Sequence, residues 1–131
     1  MNNKKISFLI IEDEPITRMM YRGFLTELIS DCVIYEAENA AQGLCLYFEK
    51  RPFIVMLDMM MPMMSGEIFL DILEEGINAK LLTTTPKIVV ITAIEDAKQL
   101  MEITKRFAVI AVIPKPLPYE TLAELLEYHI N

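Results

Sequence analysis

One histidine and two cysteines among 131 residues leave little material for a zinc site or a disulfide framework. Cys32 and Cys45 stand in unrelated contexts, with no CxxC pair and no neighbouring histidine, and read as reduced core or half-buried thiols. His129 stands alone near the C-terminus, as a solvated helix-end residue would. Positive charge is scarce too: 12 Lys and Arg against 19 Asp and Glu give a net charge of −7. That balance opposes direct binding to nucleic acid, because counterion release needs a clustered basic surface. No apolar run approaches the roughly 18 to 20 residues needed to cross a bilayer. Met1 to Lys5 is followed by only a short apolar run before Glu12-Asp13-Glu14, which leaves no room for a cleavable secretory segment. A cytoplasmic protein is expected. The first loop lacks the glycine and serine that present N–H groups to a nucleotide or flavin phosphate.

What is present is an apolar content of 53%, ample for one continuous core, and a single domain over residues 1–131 is expected. Strand-like runs alternate with helix-period segments, the pattern of repeated βα units around a parallel sheet. Ile6 to Ile11 reads as the first strand, and Pro15 then suits the first turn of a helix running to about Ser30. Ile16, Met20, Phe24 and Leu28 are its expected sheet-facing stripe. Cys32 to Ala37 reads as a second strand, and Asn39 with Gln42 as a capping-box-like start for a helix carrying Leu44, Tyr47 and Phe48. Phe53 to Leu57 is an unbroken apolar strand for the centre of the sheet. A helix around Glu67 to Glu75, with Ile68, Phe69, Ile72 and Leu73 on its apolar side, should end at Gly76. An extended loop from Asn78 to Pro86 precedes a fourth strand, Lys87 to Ile91. Next come a helix bearing Leu100, Ile103, Thr104 and Phe107, a fifth strand within Val109 to Ile113, and a last helix over about Tyr119 to Ile130 with Leu122, Leu125, Leu126 and Ile130 on one stripe. The expected fold is a doubly wound, five-stranded parallel α/β sheet.

In such a sheet the ligand site lies beyond the carboxyl ends of the strands. The first strand ends in Glu12 and Asp13, the third in Asp58, the fourth in Thr92 and the fifth in Lys115. Three close carboxylates repel one another in a partly desolvated cleft unless protonated or bridged by a cation. All-oxygen ligands completed by water suit magnesium better than a calcium cage, and EF-hand spacing is absent. With that charge neutralised, Asp58 can attack phosphorus and form an acyl phosphate. Lys115, flanked by Pro114 and Pro116, and Thr92 can hold the charge spread over the phosphoryl oxygens.

Ile11-Glu12-Asp13-Glu14, Leu57-Asp58-Met59-Met60-Met61-Pro62 with Gly66, Ile91-Thr92-Ala93 and Pro114-Lys115-Pro116 together resemble a bacterial two-component response-regulator receiver domain of the CheY-like family. The resemblance covers essentially the whole chain and implies a (βα)5 fold of flavodoxin-like type with strand order 2-1-3-4-5. It implies that Asp58 is the phosphoacceptor, Asp13 a direct Mg2+ ligand, and Glu12 a second acidic residue acting directly or through water. It further implies that Met60 contributes its backbone carbonyl to the metal and that Thr92 and Lys115 bind the phosphoryl oxygens. The implied partners are a sensor histidine kinase or a histidine phosphotransfer protein, and a downstream target or a second copy at the helix 4/strand 5/helix 5 face.

Two departures from the family pattern bear on output and lifetime. Receivers usually carry Tyr or Phe three residues before the lysine, where this chain has Val112, and Ile110-Ala111 beside it is apolar. Met60 and Ile94 occupy positions that tune hydrolysis and cannot orient a water by hydrogen bonding, which implies a long-lived phospho-form. Leu81 to Thr85 is an apparent excess in the loop before the fourth strand. The methionines from Met59 to Met64 read as packing and loop contacts rather than a soft-metal site. The competing readings are a phospho-inactive receiver serving as an interaction module, and an aspartyl-nucleophile phosphatase. The haloacid dehalogenase type of the latter needs an acid two residues after the nucleophile, where Met60 stands.

Overall fold

A computed structural model describes residues 5–130. Met1 to Lys4 and Asn131, which the expected domain span includes, lie outside the described residues. The order is β1 (Ile6–Ile11), α1 (Pro15–Leu28), β2 (Cys32–Ala37), α2 (Ala40–Lys50), β3 (Ile54–Leu57), α3 (Gly66–Asn78), β4 (Ile88–Thr92), α4 (Ala97–Thr104), β5 (Val109–Pro114) and α5 (Tyr119–Ile130). The strands are parallel and ordered β2-β1-β3-β4-β5, the doubly wound topology expected.

Side chains alternate across the sheet. Leu9 and Ile11 of β1, Val55 and Leu57 of β3 and Val90 of β4 pack with Tyr47, Phe69, Leu73 and Ile103, so α2, α3 and α4 cover one face. Phe8, Ile10, Ile54, Met56, Val89 and Ile91 pack with Tyr21, Leu25, Leu122 and Leu126, so α1 and α5 cover the other. Every residue of β3 and β4 is buried, because a central parallel strand has no solvent face. The Asn39 side chain accepts the Gln42 N–H at 2.9 Å, and Gln42 Oε1 accepts the Glu38 N–H at 2.9 Å, the reciprocal pattern of a capping box displaced by one residue.

Six details correct the expectations. The buried positions of α1 are Tyr21 and Leu25, while Ile16 is 74% and Met20 38% exposed. The true stripe is therefore one residue on, flanked by Phe24 and Leu28; four-residue steps drift around a helix of 3.6 residues per turn. The helix also stops at Leu28, not Ser30. In α3 the helix runs through Gly76 to Asn78, and a Cβ at Gly76 would meet Leu82 and Phe48 at ordinary contact distances of 3.4 to 3.6 Å, so the glycine does not end the helix and nothing in the structure requires it. The apolar side of α3 is Phe69, Leu70 and Leu73, with Ile68 and Ile72 exposed. Phe107 lies beyond α4 and is 50% exposed, and the Thr104 hydroxyl donates to Leu100 O at 2.8 Å instead of facing the core. β3 and β4 each begin one residue later than expected, at Ile54 and Ile88.

The register positions the site. Ile11 pairs with Leu57, so the residues that follow, Glu12 and Asp58, leave the sheet side by side. Thr92 pairs with Pro114, which brings Lys115 next to the end of β4.

Candidate functional site

Asp58 follows β3 and Glu12 follows β1, and both are nearly sealed from solvent, at 4% and 1% exposure. Asp58 Oδ1 accepts the Met60 N–H at 3.1 Å, and its Oδ2 accepts from Lys115 Nζ at 3.3 Å. Glu12 Oε1 accepts from the same ammonium at 2.8 Å, and its Oε2 accepts the Glu14 N–H at 3.1 Å. Asp13 is exposed at the mouth of the cluster. One carboxylate oxygen from each of Glu12, Asp13 and Asp58 lies within 4.8 Å of the others, a hard, all-oxygen donor set of the kind that holds a divalent cation. Thr92 is fully buried at the same edge, with its Oγ1 accepting the Ile94 N–H at 3.1 Å.

One ammonium faces three carboxylates, and the titration of the buried groups reflects that imbalance. Burial pushes the Glu12 carboxyl above the usual value; Lys115 and the Glu14 N–H oppose the push, and Asp58 reinforces it. Burial likewise raises Asp58, against the Met60 N–H and Lys115. For Lys115 burial works downward, but the hydrogen bond to Glu12 and the charges of Asp58 and Glu12 outweigh it and hold the ammonium above its usual value.

The loop after Asp58 depends on Gly66, the first residue of α3. A Cβ there would meet Met59 Cα at 2.8 Å and Asp58 O at 2.9 Å, and the Gly66 N–H donates to Met59 O at 3.1 Å. Met63, with φ of 73°, takes the left-handed turn in this loop and is fully exposed. Met60 and Ile94 line a shallow hollow of about 250 Å³ with Ser65, Glu67 and Gln99, so an apolar rim adjoins the acidic cluster.

Two residues near the cluster escape the sequence reading. Arg18 Nη1 donates to Glu12 O at 2.7 Å, while its Nε pairs with Glu36 at 3.2 Å, tying the first loop to β2. Arg22 reaches the same Glu36 at 2.6 Å, so the four-residue spacing of the two arginines was the available signal. Tyr21 is buried on α1, and burial first, then the charges of Glu12, Asp58 and Glu14, pushes its phenol upward.

A family model described as response regulator receiver domain matches residues 8–127. The chain belongs to this family. It is 28% identical over 129 residues to the Probable C4-dicarboxylate response regulator DctR of Priestia megaterium, an alignment covering 98% of this chain and 54% of the relative. The chain thus spans about half the length of the curated relatives it first matches. In fold it is similar to a two component response regulator from Cytophaga hutchinsonii, with a TM-score of 0.81 at 18% identity over 98% of this chain and 99% of that one. It is also similar to the Vibrio cholerae chemotaxis protein CheY4, with a TM-score of 0.76 at 20% identity over 96% and 99%.

Receiver domains of response regulators are signalling switches of two-component systems. This receiver carries Val112 half-buried on β5, packed with Val109 against the core that α2, α3 and α4 cover. Among the described residues no helix is long and apolar enough to cross a membrane.

Proposed function

We propose that Asp58 accepts a phosphoryl group from a phosphohistidine on a sensor kinase or phosphotransfer protein. Glu12, Asp13 and Asp58 would hold Mg2+, together with the backbone carbonyl of Met60. The observation that carries this reading is the placement of Lys115 between two buried carboxylates, at 2.8 Å from Glu12 and 3.3 Å from Asp58. Two buried carboxylates sharing one ammonium have no structural merit, since burying an under-compensated carboxylate costs several kcal/mol per ion. They have merit as a site awaiting a cation and a phosphoryl group.

A carboxylate oxygen of Asp58 attacks phosphorus in line with the histidine nitrogen; the P–O bond forms, the P–N bond breaks, and the imidazole leaves with the bonding pair. Lys115 exchanges its contact with Asp58 for a phosphoryl oxygen while keeping Glu12. Thr92 turns its hydroxyl from the Ile94 N–H toward another phosphoryl oxygen. Bound Mg2+ supplies charge neutralisation as negative charge gathers on the transferring group. Arg18 holds the Glu12 loop so that the carboxylates keep their relative positions.

Output is assigned to the face formed by α4, β5 and α5, where Met101, Phe107 and Tyr128 are 60%, 50% and 82% exposed. Such apolar exposure suits a protein partner or a second copy of the receiver. Cytoplasmic localisation follows as part of the proposal, because the phosphohistidine donors of this chemistry work there. Intact mass measurement after acetyl phosphate with Mg2+ tests acceptance: the native chain should gain one phosphoryl group and Asp58→Asn none. Absence of the adduct on the native chain would overturn the proposal. Light scattering after size-exclusion chromatography, with and without beryllofluoride, tests self-association, which monomers in both conditions would exclude.

A further inference from the structure

The long connection between α3 and β4 has no role in the acceptor site, which lies at the other end of the sheet. Leu82 and Pro86 are buried, and the N–H groups of Leu81 and Leu82 both donate to Gly76 O, at 2.8 and 3.3 Å. The loop is thereby pinned, with Thr84 and Thr85 exposed between its two anchors. Against the segment joining α2 to β3 it forms a pocket of about 320 Å³ lined by Tyr47, Arg51, Phe53, Thr84, Thr85 and Lys87, with two prolines. That volume falls within the range of small-molecule sites. The extended run from Phe53 to Asp58 puts about 16 Å between this pocket and the acceptor.

The charge of the pocket runs against that of the chain, whose net charge is −7. Arg18, Arg22 and Arg106 each pair with a carboxylate. Arg51 and Lys87 have no carboxylate within ion-pair distance among the described residues. Arg51 lies 5.5 Å over the Phe48 ring, with its Nε donating to Phe48 O at 3.0 Å, so its other N–H groups are uncommitted. The Lys87 ammonium stands 4.6 Å over the Phe53 ring. Tyr47 is 3% exposed, and its hydroxyl, which makes no hydrogen bond among the described residues, is not sealed in the interior. Tyr47 and Arg51 both line the pocket, and while burial raises the phenol the Arg51 charge opposes the rise.

We infer that this pocket binds a small organic phosphate monoester. Arg51 and Lys87 face its anionic oxygens, the hydroxyls of Thr84, Thr85 and Tyr47 donate to them, and Phe53 borders its apolar body. Two cations match a dianion, whereas a single carboxylate leaves one of them uncompensated. Arginine with neighbouring hydroxyls is a recurrent phosphate-binding set. No carboxylate, imidazole or thiol lines the pocket to activate its hydroxyls, so the role is recognition.

Amide NMR titration of the native chain in magnesium-free buffer tests the inference, with phenyl phosphate, inorganic phosphate and benzoate as separate probes. Phenyl phosphate should move the amides of Arg51, Phe53, Thr84, Thr85 and Lys87 saturably and bind about tenfold or more tightly than either other probe. Lys87→Gln and Arg51→Gln should each weaken it by about tenfold or more, while Lys87→Gln still takes up a phosphoryl group at Asp58. The inference is overturned if the shifts centre on Asp58 and Thr92, if benzoate binds as tightly, if neither variant weakens binding, or if no probe saturates.

Discussion

Replacing Asp58 by Asn should stabilise the metal-free receiver. Glu12 and Asp58 carry oxygens within 4.8 Å of each other, and at an effective dielectric of about 20 that pair repels by about 3.5 kcal/mol. Asp13, exposed and screened, adds about 1 kcal/mol even at the dielectric of water. Lys115 at 3.3 Å attracts Asp58 by about 5 kcal/mol on the first scale. The charge terms therefore nearly cancel, and desolvation decides the sign. Asp58 is 4% exposed, and burying a carboxylate costs several kcal/mol. The amide keeps the Met60 N–H as donor, and Lys115 keeps Glu12 at 2.8 Å, so no buried charge is orphaned. A net gain of about 1 to 3 kcal/mol is expected, or roughly 4 to 12 °C in Tm for a domain of this size. The pH dependence has a definite sign. A carboxyl whose folded value is raised contributes stability that is fully present below its unfolded value and is lost as pH rises through the folded one. The advantage of Asn should therefore be large at pH 7 and shrink toward pH 4. Calorimetry in EDTA at both pH values measures it; an Asn variant less stable than the native chain at pH 7 would refute the reasoning.

Mg2+ should raise the native Tm, by about 2.7 kcal/mol worth of stability at one hundred times its Kd, and Asp13→Asn should lose most of that rise in the same scan. Gly66→Ala should cost about 1 to 3 kcal/mol in chemical denaturation, because the new methyl meets not only the movable Met59 Sδ at 2.7 Å but also backbone atoms at 2.8 and 2.9 Å. The aspartyl phosphate should decay slowly, and replacing Met60 and Ile94 by hydrogen-bonding side chains should hasten its loss as followed by mass spectrometry. Beryllofluoride with Mg2+ should shift the Ile94 amide and speed its hydrogen exchange, since Thr92 would release it.

The βα alternation and the site edge were legible because a parallel sheet writes itself as apolar runs ending in polar residues, while the strand order came with the resemblance to receivers. Ile11 to Asp13, Leu57-Asp58 and Ile91-Thr92 each mark a strand end directly. Helix faces were less legible. Ile16 and Met20 match Leu25 in hydropathy, and only packing against Phe8, Ile10 and Leu122 selects Tyr21 and Leu25. Gly76 was misread because a glycine inside the last turn of a helix has the same letter as one that ends it. Arg18 could not be found from the acidic motif alone, since its contact is to the backbone oxygen of Glu12 and its second partner lies on β2. The pocket beneath the α3–β4 loop needed the fold, which brings residues from positions 47–53 and 84–87 together.

Val112 changes how a phosphoryl signal could leave the site, and the hydrogen bonds show an alternative route. An aromatic ring on β5 would report the position of Thr92 by filling the space that the threonine vacates; valine is too small to do so. Thr92 in this structure is instead committed to the Ile94 N–H, and the loop that begins there leads within two residues to Asp96, whose side chain caps α4 through the Gln99 N–H at 3.3 Å. Drawing the Thr92 hydroxyl to a phosphoryl oxygen removes the partner of a half-buried amide, a loss of about 1 to 3 kcal/mol that the loop must recover by rearranging. The rearrangement acts directly on the cap of an eight-residue helix whose only fully buried side chain is Ile103. A helix so lightly anchored is the element that so small a free energy can move, and it carries Met101 on the face assigned to output.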